Sequence, residues 1–284
     1  MPRTVLITGC SDGGMGAHLA HEFHKRGDRV FATARNPSKM ESLKALGIEA
    51  ITLDVVSEES IQTCFSQVSS LTDGSLDILV NNAGQGYCMP LTDVSIAEAK
   101  KVFDLNFWSI LRTTQVFLPL LLKAARSQGR ALLVNQTSVS SVLGSPFFGV
   151  YNTSKAAAAM LIQNLRLELD PFGIQVIDLK TGGVRTNIHD NDSECHLPPD
   201  SLFMAVQDEI GKLSKGDIGM DSQDARVWAK NVVGDLDKNN PPHIIWRGKS
   251  ASQIKMASKL PVGMLDSTLK KVAKLDVLEQ KLKH

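Results

Sequence analysis

The stretch "FGVYNTSKAAAAM", Phe148 to Met160, sets the amine of Lys155 one helical turn beyond the phenol of Tyr151, one of two tyrosines in the chain. A phenol of ordinary pKa, about 10, is a poor proton carrier at neutral pH, and a neighbouring ammonium favours its phenolate and lowers that value. Such a pair suits proton transfer to or from a carbonyl or hydroxyl oxygen. Alone, it is also an ordinary i,i+4 polar pair on a helix, so other residues have to decide.

A second group of residues suits a dinucleotide. "TGCSDGGMG", Thr8 to Gly16, stands between an apolar run and a helical one, with Gly9, Gly14 and Gly16 around Ser11, Asp12 and Met15. Glycines let the chain turn tightly and let a pyrophosphate approach the free N–H groups of a helix N-terminus. The next apolar run ends in Ala34 and Arg35. An acid there would take the ribose 2′-hydroxyl of NADH, whereas an arginine accommodates a 2′-phosphate, so NADPH is expected, with Arg3 near the same edge. Asp54, closing "TLDV", either accepts from the adenine amino group or caps the helix that follows. "NNAG" supplies Asn82, Ala83 and Gly84, the glycine suiting close approach of a ribose.

These residues need a frame. Seven short apolar runs, "RTVLITG", "DRVFATAR", "IEAITLDV", "LDILVNNAG", "ALLVNQTS", "IQVIDLKTG" and "HIIWRG", alternate with segments of helical period. That succession predicts one α/β domain, a parallel sheet buried between helices on both faces. Ser57 before Glu58 and Glu59, and a capping box from Ser95 to Glu98, mark helix starts. From about Asn187 to Asp221 the pattern is irregular, and an insertion of that kind is expected to cover a site at the strand ends. The catalytic unit is drawn over residues 1–246, insertion included, and residues 247–284 as a basic extension.

With the glycine loop, "NNAG" and Tyr151-x-x-x-Lys155 in order from about Arg3 to about Thr186, the chain resembles the classical short-chain dehydrogenase/reductase (SDR) family. The resemblance implies a Rossmann-type, doubly wound, seven-stranded parallel sheet and hydride transfer between a nicotinamide and a C–OH/C=O carbon. By position, Ser138 in "VNQTSVSS" matches the substrate-orienting serine, with Ser140 and Ser141 as close competitors. Asn106 in "DLNFWS" matches the asparagine that holds a water in the proton path. Tyr151 and Lys155 match the catalytic pair, the lysine also holding the nicotinamide ribose. Val184 and Thr186 match nicotinamide contacts, in a turn, "TGGVRT", that lacks the family's proline.

The wording of "GCSDGGMG", "NNAGQ" and "KTGGVRTNI", with the basic extension, is most similar to the 1-acyldihydroxyacetone-phosphate reductases. That similarity implies NADPH-dependent reduction of a ketone on a lipophilic substrate. Tailoring ketoreductases or dehydrogenases of polyketide or terpenoid secondary metabolism have the same core and are the alternative. A non-catalytic, dinucleotide-binding regulatory protein is a reading from another class. Such members commonly lose the tyrosine or lysine, and both are kept here. The resemblance also implies a homodimer or homotetramer, built through the long helices that begin near Ile96 and Thr153.

Other features set bounds. A net charge of +1, with acids and bases interspersed, gives no argument for nucleic acid. Cys10, Cys64, Cys88 and Cys195 lack metal-ligand spacing, and His18, His21 and His24 have no further ligand to complete a site, so no metal is expected. A reduced, cytoplasmic setting follows from the cysteines and from an N-terminus that reads straight into a strand. No apolar run approaches the roughly 18 to 20 residues of a spanning helix.

Residues 247–284 hold nine basic and three acidic residues, a net of +6 against −5 for the rest. There Leu265, Leu269, Val272, Leu275, Leu278 and Leu282 recur as one stripe. Such a helix fits peripheral contact with an intracellular membrane or lipid droplet, and equally packing on the protein itself. Phe147 and Phe148 line a substrate pocket or pack in the core. His189 and His196 touch substrate or sit exposed in the insertion.

Overall fold

The computed structural model of the protein describes residues 2–186, 195–216 and 221–283. Seven strands form one parallel sheet: β1 (Thr4–Ile7), β2 (Arg29–Ala34), β3 (Glu49–Thr52), β4 (Ile78–Asn81), β5 (Ala131–Ser138), β6 (Ile174–Thr181) and, last in sequence, β9 (Ile244–Arg247). Their spatial order is β3-β2-β1-β4-β5-β6-β9, so the winding reverses between β1 and β4. A crevice opens at such a reversal, beyond the carboxyl ends of the strands. The remaining two strands, β7 (Val184–Arg185) and β8 (Gln223–Asp224), make a small parallel ribbon beside the sheet.

Successive strand side chains point to opposite faces and feed two cores. Val5, Ile7, Val30 and Ala32 pack under α1 (Met15–Lys25), the short α2 (Glu41–Ala45) and α8 (Ala225–Leu236). Leu6, Phe31, Leu79 and Leu133 pack under α3 (Glu58–Leu71), α5 (Ser109–Gln128) and α6 (Gly149–Leu169). Ser57 caps α3, its hydroxyl accepting from the Ser60 N–H at 3.2 Å. Ser95 precedes α4 (Ile96–Phe103), but no side-chain cap forms there, and Glu98 pairs with Lys101 instead. The predicted capping box is therefore absent. Between α4 and α5 the helix widens into a π-turn, Asp104–Trp108.

The expectation for Arg3 also fails. In a parallel sheet all strand starts lie at one end, and Arg3, just before β1, pairs there with Asp28 at 2.8 Å and Asp237 at 2.7 Å. Arg35 follows the end of β2, at the opposite end of the sheet.

A third, smaller core lies above the strand ends. Phe147, Cys195, Leu197, Val206 and Ile210 join Phe148, Phe203 and Met89, so α7 (Gln207–Ser214) and the described part of the insertion sit on the residues just before Tyr151. Both phenylalanines belong to this cluster, with Phe147 edge-on to Phe203 at 5.4 Å between ring centroids. The chain ends in α9 (Ala251–Ala257), α10 (Asp266–Val272) and α11 (Leu275–Lys281). The apolar stripe breaks at Lys274, whose φ of +59° ends α10 and starts α11. Ala273, Leu275, Val277 and Leu278 pack into the third core, and of the stripe's leucines Leu282 alone is largely exposed. Leu275 and Leu278 of the stripe thus face the protein itself, Leu265, Leu269 and Val272 are half-buried, and Val262 and Met264 just before them are exposed. Among the described residues no helix is long and apolar enough to cross a membrane.

Candidate active site

β1 runs into the glycine loop, and the loop into α1. Gly9 takes a φ of +74°, open to glycine at little cost. A Cβ on Gly16 would stand 2.5 Å from the Gly9 carbonyl oxygen and 2.6 Å from Asn82 Nδ2, so no other residue fits there without displacing backbone. Gly14 is the N-cap of α1 and offers no side-chain cap, and the first turn carries no acid. The N–H groups and dipole of the helix start thus face the crevice without internal competition, which suits a pyrophosphate.

The loop after β4 is stitched to this one. Thr8 Oγ1 accepts from the N–H groups of Asn82 and Ala83, both at 2.9 Å. Asn82 Nδ2 donates back to the carbonyls of Thr8 at 2.8 Å and Gly9 at 3.0 Å. The links between Thr8 and Asn82 were not apparent in the sequence, where the two segments read as separate parts of a cofactor site.

These loops enclose a cavity of ≈ 440 Å³. Gly9, Ser11, Asp12, Gly14, Met15, Arg35, Asp54, Asn82, Ala83, Gly84 and Thr186 line it, all of them predicted cofactor residues. Gly16 lies behind the loop, and Val184 packs on the first core. Asn36, Lys39, Leu53, Val55, Gln85 and Leu105 line it as well. Lys39 was missed, although a second cation four residues after Arg35 was a legible signal. Asp54 Oδ1 accepts from the Val56 N–H at 3.1 Å, a local turn, while Ser57 does the capping of α3. The side chain of Asp12 is held by Ser42. The donor set fits a nicotinamide dinucleotide: an uncapped helix start and glycine cradle for the phosphates, and two exposed cations at one end.

The four residues carried over by resemblance, Tyr151 and Lys155 included, are not among the described residues that line this cavity; they lie on β5, the π-turn and α6, with Asn106 and Lys155 next to Gly84 of its wall. Ser138 Oγ accepts from the Ser140 N–H at 3.1 Å, which leaves its own proton to donate elsewhere. The competing hydroxyl of Ser141 donates to the Ser138 carbonyl at 2.6 Å. Tyr151 is half-buried in the first turn of α6. The amine of Lys155 lies 6.0 Å from the Tyr151 ring centroid and donates to the Gln136 carbonyl at 3.0 Å. A Cβ on Gly84 would stand 3.3 Å from that amine, so the glycine keeps Lys155 against the cavity wall. Asn106, fully buried in the π-turn, bonds both main-chain groups of Gln85 at 2.9 Å and Ser154 at 3.1 Å. Its side chain ties the loop after β4 to α6, and any water it serves has to meet main-chain groups of this turn.

Burial pushes the Lys155 amine down from 10.5 to about 8, with Asp178 opposing in part. Between these two values the unfolded chain binds more protons than the folded one, so Lys155 makes stability rise with pH. Against Lys155→Met, the wild-type protein without cofactor should gain about 2 kcal/mol between about pH 7.5 and about pH 9.5. Urea midpoints of both proteins across that range check it, and parallel pH curves would rule it out.

A dinucleotide-sized cavity at the reversal of a doubly wound sheet, with the Lys155 amine, one turn beyond Tyr151 on α6, set against its Gly84 wall, fits a nicotinamide-dependent oxidoreductase. The short chain dehydrogenase family model matches residues 3–196, and the chain belongs to that family. Over 285 residues it is 47% identical to a short-chain dehydrogenase/reductase of Pestalotiopsis microspora, covering 99% of this chain and 97% of that one. An NADPH-dependent 1-acyldihydroxyacetone phosphate reductase of Schizosaccharomyces pombe is 33% identical over 285 residues, covering 96% and 95%. Among solved structures, a short-chain dehydrogenase from Streptomyces avermitilis matches with a TM-score of 0.78 at 26% identity, covering 99% and 98%.

Proposed function

We propose that the protein uses NADPH to reduce a ketone on a lipophilic substrate to a secondary alcohol, reversibly. The observation that carries this reading is the Lys155 amine, one turn beyond Tyr151 on α6, set against the Gly84 wall of a cavity whose lining also holds Arg35 and Lys39. When bound, the cofactor supplies the hydride. Ser138 donates a hydrogen bond to the ketone oxygen, and Tyr151 delivers a proton to it as negative charge develops. Lys155 favours ionisation of the phenol and takes the nicotinamide ribose hydroxyls, beside Asn82, Ala83 and Gly84. Thr186 and Val184 border the nicotinamide, and Arg35 with Lys39 takes the 2′-phosphate.

The apolar cluster around Phe147, Phe203 and Leu197 supports a lipophilic substrate. An acyl-dihydroxyacetone phosphate is one candidate, after the fission-yeast relative. A polyketide or terpenoid ketone is the other. The protein would work in the cytoplasm. Peripheral contact with a membrane or lipid droplet belongs to the same proposal: Met256, Val262 and Met264 of the basic extension are exposed, while Leu275 and Leu278 pack inward. Exposed Met160 and Leu167 on α6, 65% and 63% accessible, support a homo-oligomer formed through that helix.

NADPH oxidation against a panel of an acyl-dihydroxyacetone phosphate, a steroid ketone, retinal and polyketide-like ketones tests the reading. Turnover of the phosphate ester alone assigns the lipid branch, and turnover of a polycyclic ketone assigns the tailoring branch. Consumption of NADPH with none of them would overturn the proposed substrate class.

A further inference from the structure

Behind Ser138 lies a charged pair that the reaction described above does not use. Asp178 and Lys180 are two residues apart on β6, 2.7 Å from each other, with side chains 0% and 5% exposed. A pair buried so deeply costs more in desolvation than a matching apolar pair unless its remaining polar atoms are engaged. Here they are engaged around a single point. Asp178 Oδ1 accepts from the hydroxyl of Thr137, the residue before Ser138. Lys180 Nζ donates to Ser141 Oγ at 2.8 Å, in the turn just after Ser138. A lysine offers only donors, so the Ser141 hydroxyl accepts from it and turns its own proton to the Ser138 carbonyl, at 2.6 Å. The Trp246 ring, 5.8 Å from Lys180, closes the outer side.

We propose that Asp178 and Lys180 are positioning residues for carbonyl reduction, gripping β5 before and after Ser138 and so fixing the direction in which its hydroxyl meets the substrate oxygen. The inference rests on Ser138 as that donor. The geometry explains why Ser141 is a serine, and why a strand buried along most of its length carries two charges on one face.

Ser141→Ala breaks the relay without stranding a buried charge. With a ketone that the wild-type enzyme turns over, its kcat is expected to fall about tenfold, since small misplacements of a reacting group are costly. NADPH affinity and the thermal midpoint should stay unchanged, and Ser141→Thr, which keeps the hydroxyl, should restore the rate. Lys180→Met should fall further, with Lys180→Arg recovering part. Circular dichroism reports whether Lys180→Met folds, and the Ser141 variants decide the matter if it does not. A kcat for Ser141→Ala within about twofold of wild type, or a fall matched by lost NADPH affinity and thermal stability, would overturn the proposal. Ser138→Ala separates the two readings: full activity there removes Ser138 as donor and the inference with it. An inactive Ser138→Ala beside a fully active Ser141→Ala removes the inference alone.

Discussion

Tyr151→Phe is expected to lower kcat by about a thousandfold while leaving NADPH affinity within about twofold. The substitution deletes one oxygen and keeps the ring, which is half-buried in the first turn of α6. Lys155 is fixed independently, by its bond to the Gln136 carbonyl and by the close wall at Gly84, so the cofactor side of the site persists. What goes is the proton donor for the developing alkoxide. Steady-state NADPH oxidation and a fluorescence titration measure the two quantities separately. A mutant of full activity would show that another group supplies the proton, and a mutant that loses NADPH would show that the phenol holds the cofactor.

Arg35→Ala is the second large effect, and it falls on binding. Arg35 is exposed, and among the described residues it takes no hydrogen bond or ion pair, so its guanidinium is available to a ligand. A charge-assisted contact to a 2′-phosphate is worth about 2 to 3 kcal/mol, or roughly a hundredfold in affinity, and salt weakens it. NADPH should weaken by about that factor and NADH hardly at all. Lys39 keeps part of the preference, so Arg35→Ala with Lys39→Ala should remove the remainder. Titrating both cofactors at low and high salt gives the comparison, and an unchanged NADPH-to-NADH ratio would refute the assignment.

The sheet was legible because its central strands are buried and hold short apolar runs, Val5 to Ile7, Ile78 to Val80 and Ala131 to Val134. The glycine loop was legible because its spacing is set by backbone geometry, which Gly9 and Gly16 still display. Other features depend on which distant residue arrives, and there sequence reading failed. The Ser95 capping box has the right letters without the bond, because Glu98 finds Lys101. Arg3 looked close to Arg35 only while the direction of the strands was ignored. In the tail, periodicity identified an apolar face but not what covers it. His189 lies outside the described residues, and His196 is exposed. The Asp178–Lys180 pair left a mark that went unread: two charges at alternate positions of a strand that is buried along most of its length.

The inward packing of α11 has a consequence for how such an enzyme diversifies. Ala273, Leu275, Val277 and Leu278 pack on the cluster that holds Phe147 and Phe203, far along the chain from the glycine loop. On the proposed reading, in which that cluster lies toward the substrate, substitutions on α11 alter which ketone is taken and leave the glycine loop untouched. Exchanging this helix between relatives then becomes a way to engineer specificity, read as a change of kcat/KM across a ketone panel at constant NADPH affinity.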